Sequence, residues 1–315
     1  MQLPLSKKNM IVLITGATGL VGSALSDLCR AQGMTVHYLT TSKKSIVTQP
    51  DYKGFYWDPI AGILDEKSLE GVEVIVHLAG ASIAQRWTDA NKKIILDSRV
   101  LSARIIREAL SRKREQGTNQ VTQIVSASAV GAYPSSLTKY YDETYPKYAE
   151  GFLGEVVKAW ETEVALFQQL DIATAMVRTG IVLDQDKGAL PKMVQPIKMY
   201  AGAALGSGEQ WQSWIHVDDM ARLYLHIISE NLIGIYNGVA PNPVTNKKLT
   251  ETIAKTLEKP LILPKVPSFA LKLLLGDMAA IVLESQKVCA DKIRNTGFVF
   301  EHLSIEEAIP AVLTS

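Results

Sequence analysis

The stretch "MIVLITGATGLVG", Met10 to Gly22, decides the fold. Its first half is an apolar run of a length that suits one buried strand; its second half sets glycines at positions 16, 19 and 22. A helical pattern follows from about Leu20 to Gln32 and stops at Gly33. Strand, glycine loop and helix in that order make an anion cradle. Gly16 permits the tight turn, Gly19 lets the backbone approach a pyrophosphate, and Gly22 lets the helix pack closely on the strand. The spacing is G-x-x-G-x-x-G rather than G-x-G-x-x-G.

Outward from the loop the alternation continues. "MTVHYLT" is a second strand, "GFYWDP" a short third and "VEVIVHLAG" a fourth, and a long helix runs from about Thr88 to Arg114. "TQIVSASAV" is a fifth strand, "GFLGEVVKAWE" opens the next helix, and "ATAMVRTGIVL" is a sixth strand. Near-continuous apolar strands alternating with helices predict a parallel sheet covered on both faces, an α/β doubly wound fold of Rossmann type. After about Asp184 Gly and Pro become frequent, and short helices alternate with loops. "HVDDMARLYLHIISE" reads as an amphipathic helix with Asp218 or Asp219 as N-cap, "NKKLTETIAKTLEK" as another, and the tail from Pro264 to Thr314 as mostly helical. We expect a dinucleotide-binding domain over 10–183 to which 215–243 returns, and a smaller domain from 184–214 and 244–315.

The 315 residues suffice for about two domains, and 47% apolar with 21% charged residues is ordinary for a globular protein. A net charge of +1, with both signs mixed along the chain, gives no electrostatic footprint for nucleic acid or an anionic membrane. Cys29 and Cys289 have no metal-type spacing and read as small apolar packing residues in a reducing, cytoplasmic setting. Five apolar residues after Lys7 and Lys8 are too few for a signal peptide, and residues 1–9 read as a loose leader. The run "FALKLLLGDMAAIVL" is too short and, with Lys272 and Asp277, too polar to span a bilayer.

The end of the second strand bears on which dinucleotide binds. An acidic residue there would take the ribose 2′-hydroxyl of NAD, yet none occurs from Cys29 to Pro50. Thr40, Thr41, Ser42, Lys43 and Lys44 supply hydroxyls and cations that suit a 2′-phosphate. NADP(H) is the expected cofactor, with NAD(H) possible.

These glycines, with "HLAG" ending the fourth strand and "SAS" ending the fifth, resemble the extended short-chain dehydrogenase/reductases, which include sugar-nucleotide epimerases and dehydratases. Together, "DSRV", "SASAVGAY", "FLGEVVKAWE", "RTGIVL", "LGSGEQWQSWIHVDD" and "APNPVTN" resemble one atypical branch, the epimerase family proteins with a C-terminal domain of unassigned role. The resemblance implies that Gly16, Thr18, Gly19, Leu20, Val21, Gly22, Thr40 and Thr41 line the cofactor's phosphates and adenosine ribose. It places Asp58 at the adenine edge, where a turn-forming role is an equal reading, and passes His77, Leu78, Ala79 and Gly80 along the ribose. Arg99 would reach the cofactor from the following helix, and Val182 would flank the nicotinamide. Many members carry arginine where this chain reads "TTSKK", and Gly-Glu-Asn where it has Gly80, Ala81 and Ser82.

Chemistry in that family runs through a Tyr-x-x-x-Lys pair in which the lysine lowers the phenol's pKa. Counting on from Ser128, the expected polariser of the substrate oxygen, puts Leu153 and Val157 at those two positions. Apolar side chains carry no proton. Glu155 and Lys158 on the same helix point about 200° and 140° away from the Leu153 direction. Tyr133, in the loop above the fifth strand, is the better phenol.

"GEQWQSWIHVDD" brings Gln210, Trp211, Trp214 and His216 as walls of a substrate pocket or as interface packing, and Lys192 reads as an anion partner or a surface lysine. His216 and His226 form no metal-ligand pattern. The expected function is an atypical NADP(H)-binding reductase or epimerase-like oxidoreductase of unknown small-molecule substrate, using Ser128 and Tyr133. The alternative is a non-catalytic NADPH-binding regulator acting through a protein partner.

Overall fold

The computed structural model describes residues 9–314; of the leader expected at residues 1–9, all but Asn9 lies outside them. Strand β1 (Ile11–Thr15) leads through the glycine loop into α1 (Leu20–Ala31), then β2 (Thr35–Thr40), β3 (Tyr52–Asp58), β4 (Val72–His77) and α2 (Asp89–Glu115). β5 (Gln123–Ala129), α3 (Phe152–Ala165) and β6 (Ala173–Thr179) complete the expected alternation. The predicted sixth strand breaks at Gly180. Its second half, β7 (Ile181–Leu183), leaves the main sheet and pairs with β8 (Trp214–His216). The partners change because Gly180 N donates to Gly238 O at 3.1 Å and Ile181 N to Ser213 O at 2.8 Å.

α4 (Leu190–Lys198) precedes β8, and α5 (Val217–Ser229) follows it. β9 (Gly234–Gly238) then returns to the main sheet in parallel against β6. The parallel strands run in the order β9-β6-β5-β4-β1-β2-β3, and among the described residues short antiparallel pieces bring the sheet to nine strands.

Residues alternate along each buried strand, so neighbours serve opposite cores. On β1, Val12 and Ile14 join the core that holds Leu25, Leu223 and Ile227 of α1 and α5. Leu13 points the other way, among Ile106 and Leu110 of α2 and Val164 of α3. All three β1 side chains are fully buried, each worth about 1.5–3 kcal/mol of hydrophobic stabilisation. A third core joins Leu183, α4, Trp214, α6 (Asn246–Thr256) and the last helix.

The tail is helical only in short pieces. α7 (Ser268–Leu275) and α8 (Ile305–Thr314) enclose shorter turns and a two-residue strand, Lys287–Val288, which pairs in parallel with Tyr140–Tyr141. α5 is capped by neither expected aspartate. His216 is the N-cap, its Nδ1 accepting from Asp218 N at 3.1 Å. Asp219 is fully buried and engaged elsewhere: it accepts from Glu301 N and His302 N, both at 2.9 Å, and pairs with Arg222. That carboxylate fastens the C-terminal chain to α5. No helix among the described residues is long and apolar enough to cross a membrane.

Candidate active site

A cleft of about 670 Å³ opens at the carboxyl ends of β1, β4, β5 and β6. Its first half is the glycine loop: Gly16, Gly19, Leu20, Val21 and Gly22 line it. A Cβ on Gly22 would lie 2.1 Å from Gly16 O, so only glycine lets α1 start this close to the strand. Gly19 caps α1 without a side-chain bond, and no acid occupies the first turn, which leaves the helix N-terminus open to an anion. Lys187 reaches back over this loop, donating to Thr18 O at 3.3 Å and Ser23 Oγ at 3.2 Å.

Arg99 lines the cleft beside Gly80 and Trp160. Its guanidinium donates to Ala81 O and Ile95 O, at 3.1 and 2.8 Å, and pairs with no carboxylate among the described residues. Burial pulls its pKa down to about 10, a cost that a bound anion would relieve. The Trp160 indole N–H beside it is buried without a hydrogen-bond partner. Cradle, unpaired guanidinium and orphan donor fit a dinucleotide.

Other expected contacts lie elsewhere. Thr40 ends β2 and Thr41 to Lys43 follow it, all outside the cleft wall, with Thr41, Ser42 and Lys43 exposed. Asp58 forms the turn: its Oδ1 accepts from Ile60 N and Ala61 N at 3.1 and 3.0 Å. Leu78 lines the cleft but Ala79 packs into the α2 side of the core. The His77 ring is a correction, because it does not face the cofactor side. It is fully buried between Ser126 Oγ and Ser102 Oγ, at 3.1 and 2.8 Å, and burial pushes its pKa down to about 3. Val182 is corrected too. Its side chain belongs to the α1–α5 core, and Thr179, Gly180 and Ile181 line the cleft instead.

Leu153 and Val157 stand on the cleft wall, where the proton-transfer pair was counted. One helical turn further, at i+4 from Val157, is Glu161, which the sequence reading missed. Glu161 is 3% exposed and forms a bidentate pair with Arg178 of β6, Nε to Oε1 and NH2 to Oε2, both 2.9 Å. Ser128 Oγ donates to Oε1 at 2.5 Å and Tyr148 OH to Oε2 at 2.7 Å. Burial would raise this carboxyl, but Arg178 and the two hydroxyls hold it below the ordinary value. Ser128 lines the cleft, and its hydroxyl donates to Glu161 rather than into it. An arginine inside the apolar run "ATAMVRTG" was the available signal for this network.

Tyr133 is not the proton donor. It is fully buried, donates to Asn237 Oδ1 at 2.8 Å, stacks on Tyr141 and lies outside the cleft. Burial pushes its phenol up to about 12 despite the adjacent Arg178. Glu155 and Lys158 are exposed away from the cleft.

The second half of the cleft is walled by Trp211, Gln212 and Ser213 and by Ile281, Glu284 and Gln286 from the C-terminal segment. Of the expected aromatic wall, only Trp211 takes part. Trp214 is fully buried with its N–H on Asn242 O, Gln210 donates to Leu205 O and Val282 O, and Lys192 is exposed outside the cleft. His216 stacks on His302 at 3.8 Å with Asp218 nearby. One ligand atom from each of His216, Asp218 and His302 lies within 4.8 Å of the others, a grouping that the spacing of His216 and His226 did not indicate, and His216 Nδ1 also caps α5.

Residues 12–237 match the NAD dependent epimerase/dehydratase family, and 266–312 match a domain of unknown function (DUF1731). The chain is 37% identical over 312 residues to the Arabidopsis thaliana epimerase family protein SDR39U1 homolog, chloroplastic, covering 98% of this chain and 88% of that protein. It is 33% identical to the Bacillus subtilis epimerase family protein YfhF, covering 96% and 98%. The crystal structure of human epimerase family protein SDR39U1 (isoform 2) with NADPH superposes with a TM-score of 0.83 at 27% identity, covering 97% of this chain and all of that one. With its glycine cradle, parallel sheet order and these matches, the chain belongs to the NAD dependent epimerase/dehydratase family.

Proposed function

We propose that the protein is an NADP(H)-dependent oxidoreductase acting on a small uncharged carbonyl or alcohol. One observation carries the reading: the cleft continues past the glycine loop to a part walled by Trp211, Gln212 and Ser213 and by the C-terminal segment. In the first half Gly16, Gly19 to Gly22, Lys187 and Arg99 would hold the phosphates, and Thr41 to Lys43 a 2′-phosphate. The human relative solved with NADPH supports that preference. When bound, such a cofactor supplies or accepts a hydride.

The substrate class follows from charge. Arg99 and Lys187 are the only cations among the described residues lining the cleft, and Lys187 is tied to the glycine loop. Trp211, Gln212, Ser213 and Ile281 offer an apolar face with neutral hydrogen-bonding groups. A nucleoside diphosphate would find no cation there, so the reading departs from sugar-nucleotide chemistry.

Leu153 and Val157 on the wall favour a second reading, a regulator that binds NADPH and a protein partner without turnover. Single-turnover loss of the 340-nm absorbance of bound NADPH, across a panel of neutral aldehydes and ketones, separates the two. Oxidation by at least one panel member is expected. Tight NADPH binding with no oxidation by any member overturns the oxidoreductase reading.

A further inference from the structure

We propose that Glu284, on the C-terminal segment, is the proton-carrying residue of the cleft and takes the place of the missing tyrosine. The inference rests on the oxidoreductase reading and deepens it. Glu284 follows the short helix Ala280–Leu283 and lines the cleft with Ile281 and Gln286. Its backbone is fixed from two sides. Ser285 N donates to Ser135 Oγ at 3.0 Å and Ser285 Oγ to Ser136 O at 2.8 Å, which ties it to the loop after β5. Gln286 N donates to Trp211 O at 3.3 Å and Ser213 Oγ donates to Gln286 O at 2.8 Å, which ties it to the opposite wall. The carboxyl is thus carried by a rigid bridge across the substrate half, the placement that proton transfer requires.

The other ionisable groups on the cleft wall are accounted for. Arg99 and Lys187 belong to the glycine-loop half. Tyr224 is fully buried against Thr179, and burial pushes its ionisation up with no cation to lower it. Glu284 is the one carboxyl among the described lining residues. Gln286 Nε2 donates to its Oε2 at 3.1 Å, and no hydrogen bond among the described residues engages Oε1. Burial raises the carboxyl above its ordinary value, and the Gln286 amide opposes this only in part. The charged and titratable groups on the surrounding elements are otherwise committed. Lys287 Nζ sits 4.0 Å from the Trp211 ring centroid, Asp277 pairs with Lys92, and Tyr133 OH is held by Asn237.

In the reducing direction the Glu284 O–H bond breaks and its proton passes to the carbonyl oxygen, while the carbonyl carbon gains a C–H bond from the hydride of NADPH. The products are the alcohol, NADP⁺ and the Glu284 carboxylate, which regains a proton from solvent. In the oxidising direction the carboxylate takes the proton of the substrate hydroxyl.

The test uses the full chain as wild type, Glu284→Gln and Glu284→Asp. In the infrared spectrum, the C=O stretch of a protonated carboxyl should appear in the wild type minus Glu284→Gln difference. It should persist above the ordinary glutamate pKa of about 4.3, and its midpoint should move when NADP⁺ is added. With a panel aldehyde that the wild type reduces, Glu284→Gln should slow bound-NADPH oxidation by about 10²–10⁴-fold and lose the decline toward high pH, and Glu284→Asp should restore part of both. NADPH affinity should change less than about threefold, since the residue acts on the substrate proton. Unchanged turnover in Glu284→Gln, or a carboxyl titrating at its ordinary value with and without NADP⁺, overturns the role of Glu284. Absence of any wild-type turnover instead overturns the oxidoreductase reading.

Discussion

Removing one partner of the Glu161–Arg178 pair should be among the most destabilising single changes in this protein. Both side chains are nearly sealed from solvent, at 3% and 5% exposure, and the pair is bidentate. Glu161→Gln keeps the volume and an acceptor oxygen but leaves the Arg178 guanidinium buried without a counter-charge. Breaking such a pair costs about 3–5 kcal/mol, a large share of a stability of about 5–15 kcal/mol. The double substitution Glu161→Leu/Arg178→Met removes both charges and should recover at least half of that loss, because no uncompensated charge remains. Urea unfolding followed by fluorescence and far-UV circular dichroism measures each term, provided the two signals coincide. The folded pKa of Glu161 lies below its unfolded value. Its contribution is therefore present above about pH 4.3 and is lost as pH falls through the lower folded value, a dependence that Glu161→Gln should lack. Single variants that each cost less than about 1 kcal/mol, or a double variant whose loss equals the sum of the singles, would refute the reasoning. The network also holds Ser128, so the double variant should leave the cleft's hydroxyl free to rotate.

Two further outcomes are expected. Replacing Thr41, Lys43 and Lys44 together by alanine should weaken NADPH by roughly five- to thirtyfold, equivalent to about 1–2 kcal/mol, and leave NADH unchanged, as read by binding titrations; equal losses for both would place the 2′-phosphate elsewhere. His77, buried neutral with its pKa near 3, protonates on unfolding, so stability should fall by about 1.4 kcal/mol per pH unit from about pH 6.5 downward. Urea midpoints at several pH values should show that slope reduced in His77→Asn; an undiminished slope would assign it to other groups.

Local spacing carried the first half of the protein. The strand–glycine–helix unit and the alternation of apolar strands with helices placed β1 to β6 because a parallel strand buried on both faces reads as a near-continuous apolar run, whatever it packs against. The same counting put Leu153 and Val157 on the cleft wall, since helical position fixes which residues share a face. It stopped at Val157 and missed Glu161, one turn on, because the pattern sought was a tyrosine and a lysine rather than any charged group on that face. Tyr133 failed for a different reason. Its place in a loop above the sheet said nothing of Asn237, more than a hundred residues away, which takes its hydroxyl.

The sequence by itself determined the glycine cradle, the doubly wound sheet and the shared helix face of Leu153 and Val157, since each is set by neighbours within a turn, a strand or a helix. Only the tertiary structure decided which polar groups face the cleft. Ser128 turns its proton to Glu161, His77 turns inward, and Glu284 arrives from the far end of the chain through contacts at Ser135, Ser136 and Trp211. A buried donor or acceptor takes whatever partner the fold brings to it, and those partners lie at sequence separations that local periodicity does not encode.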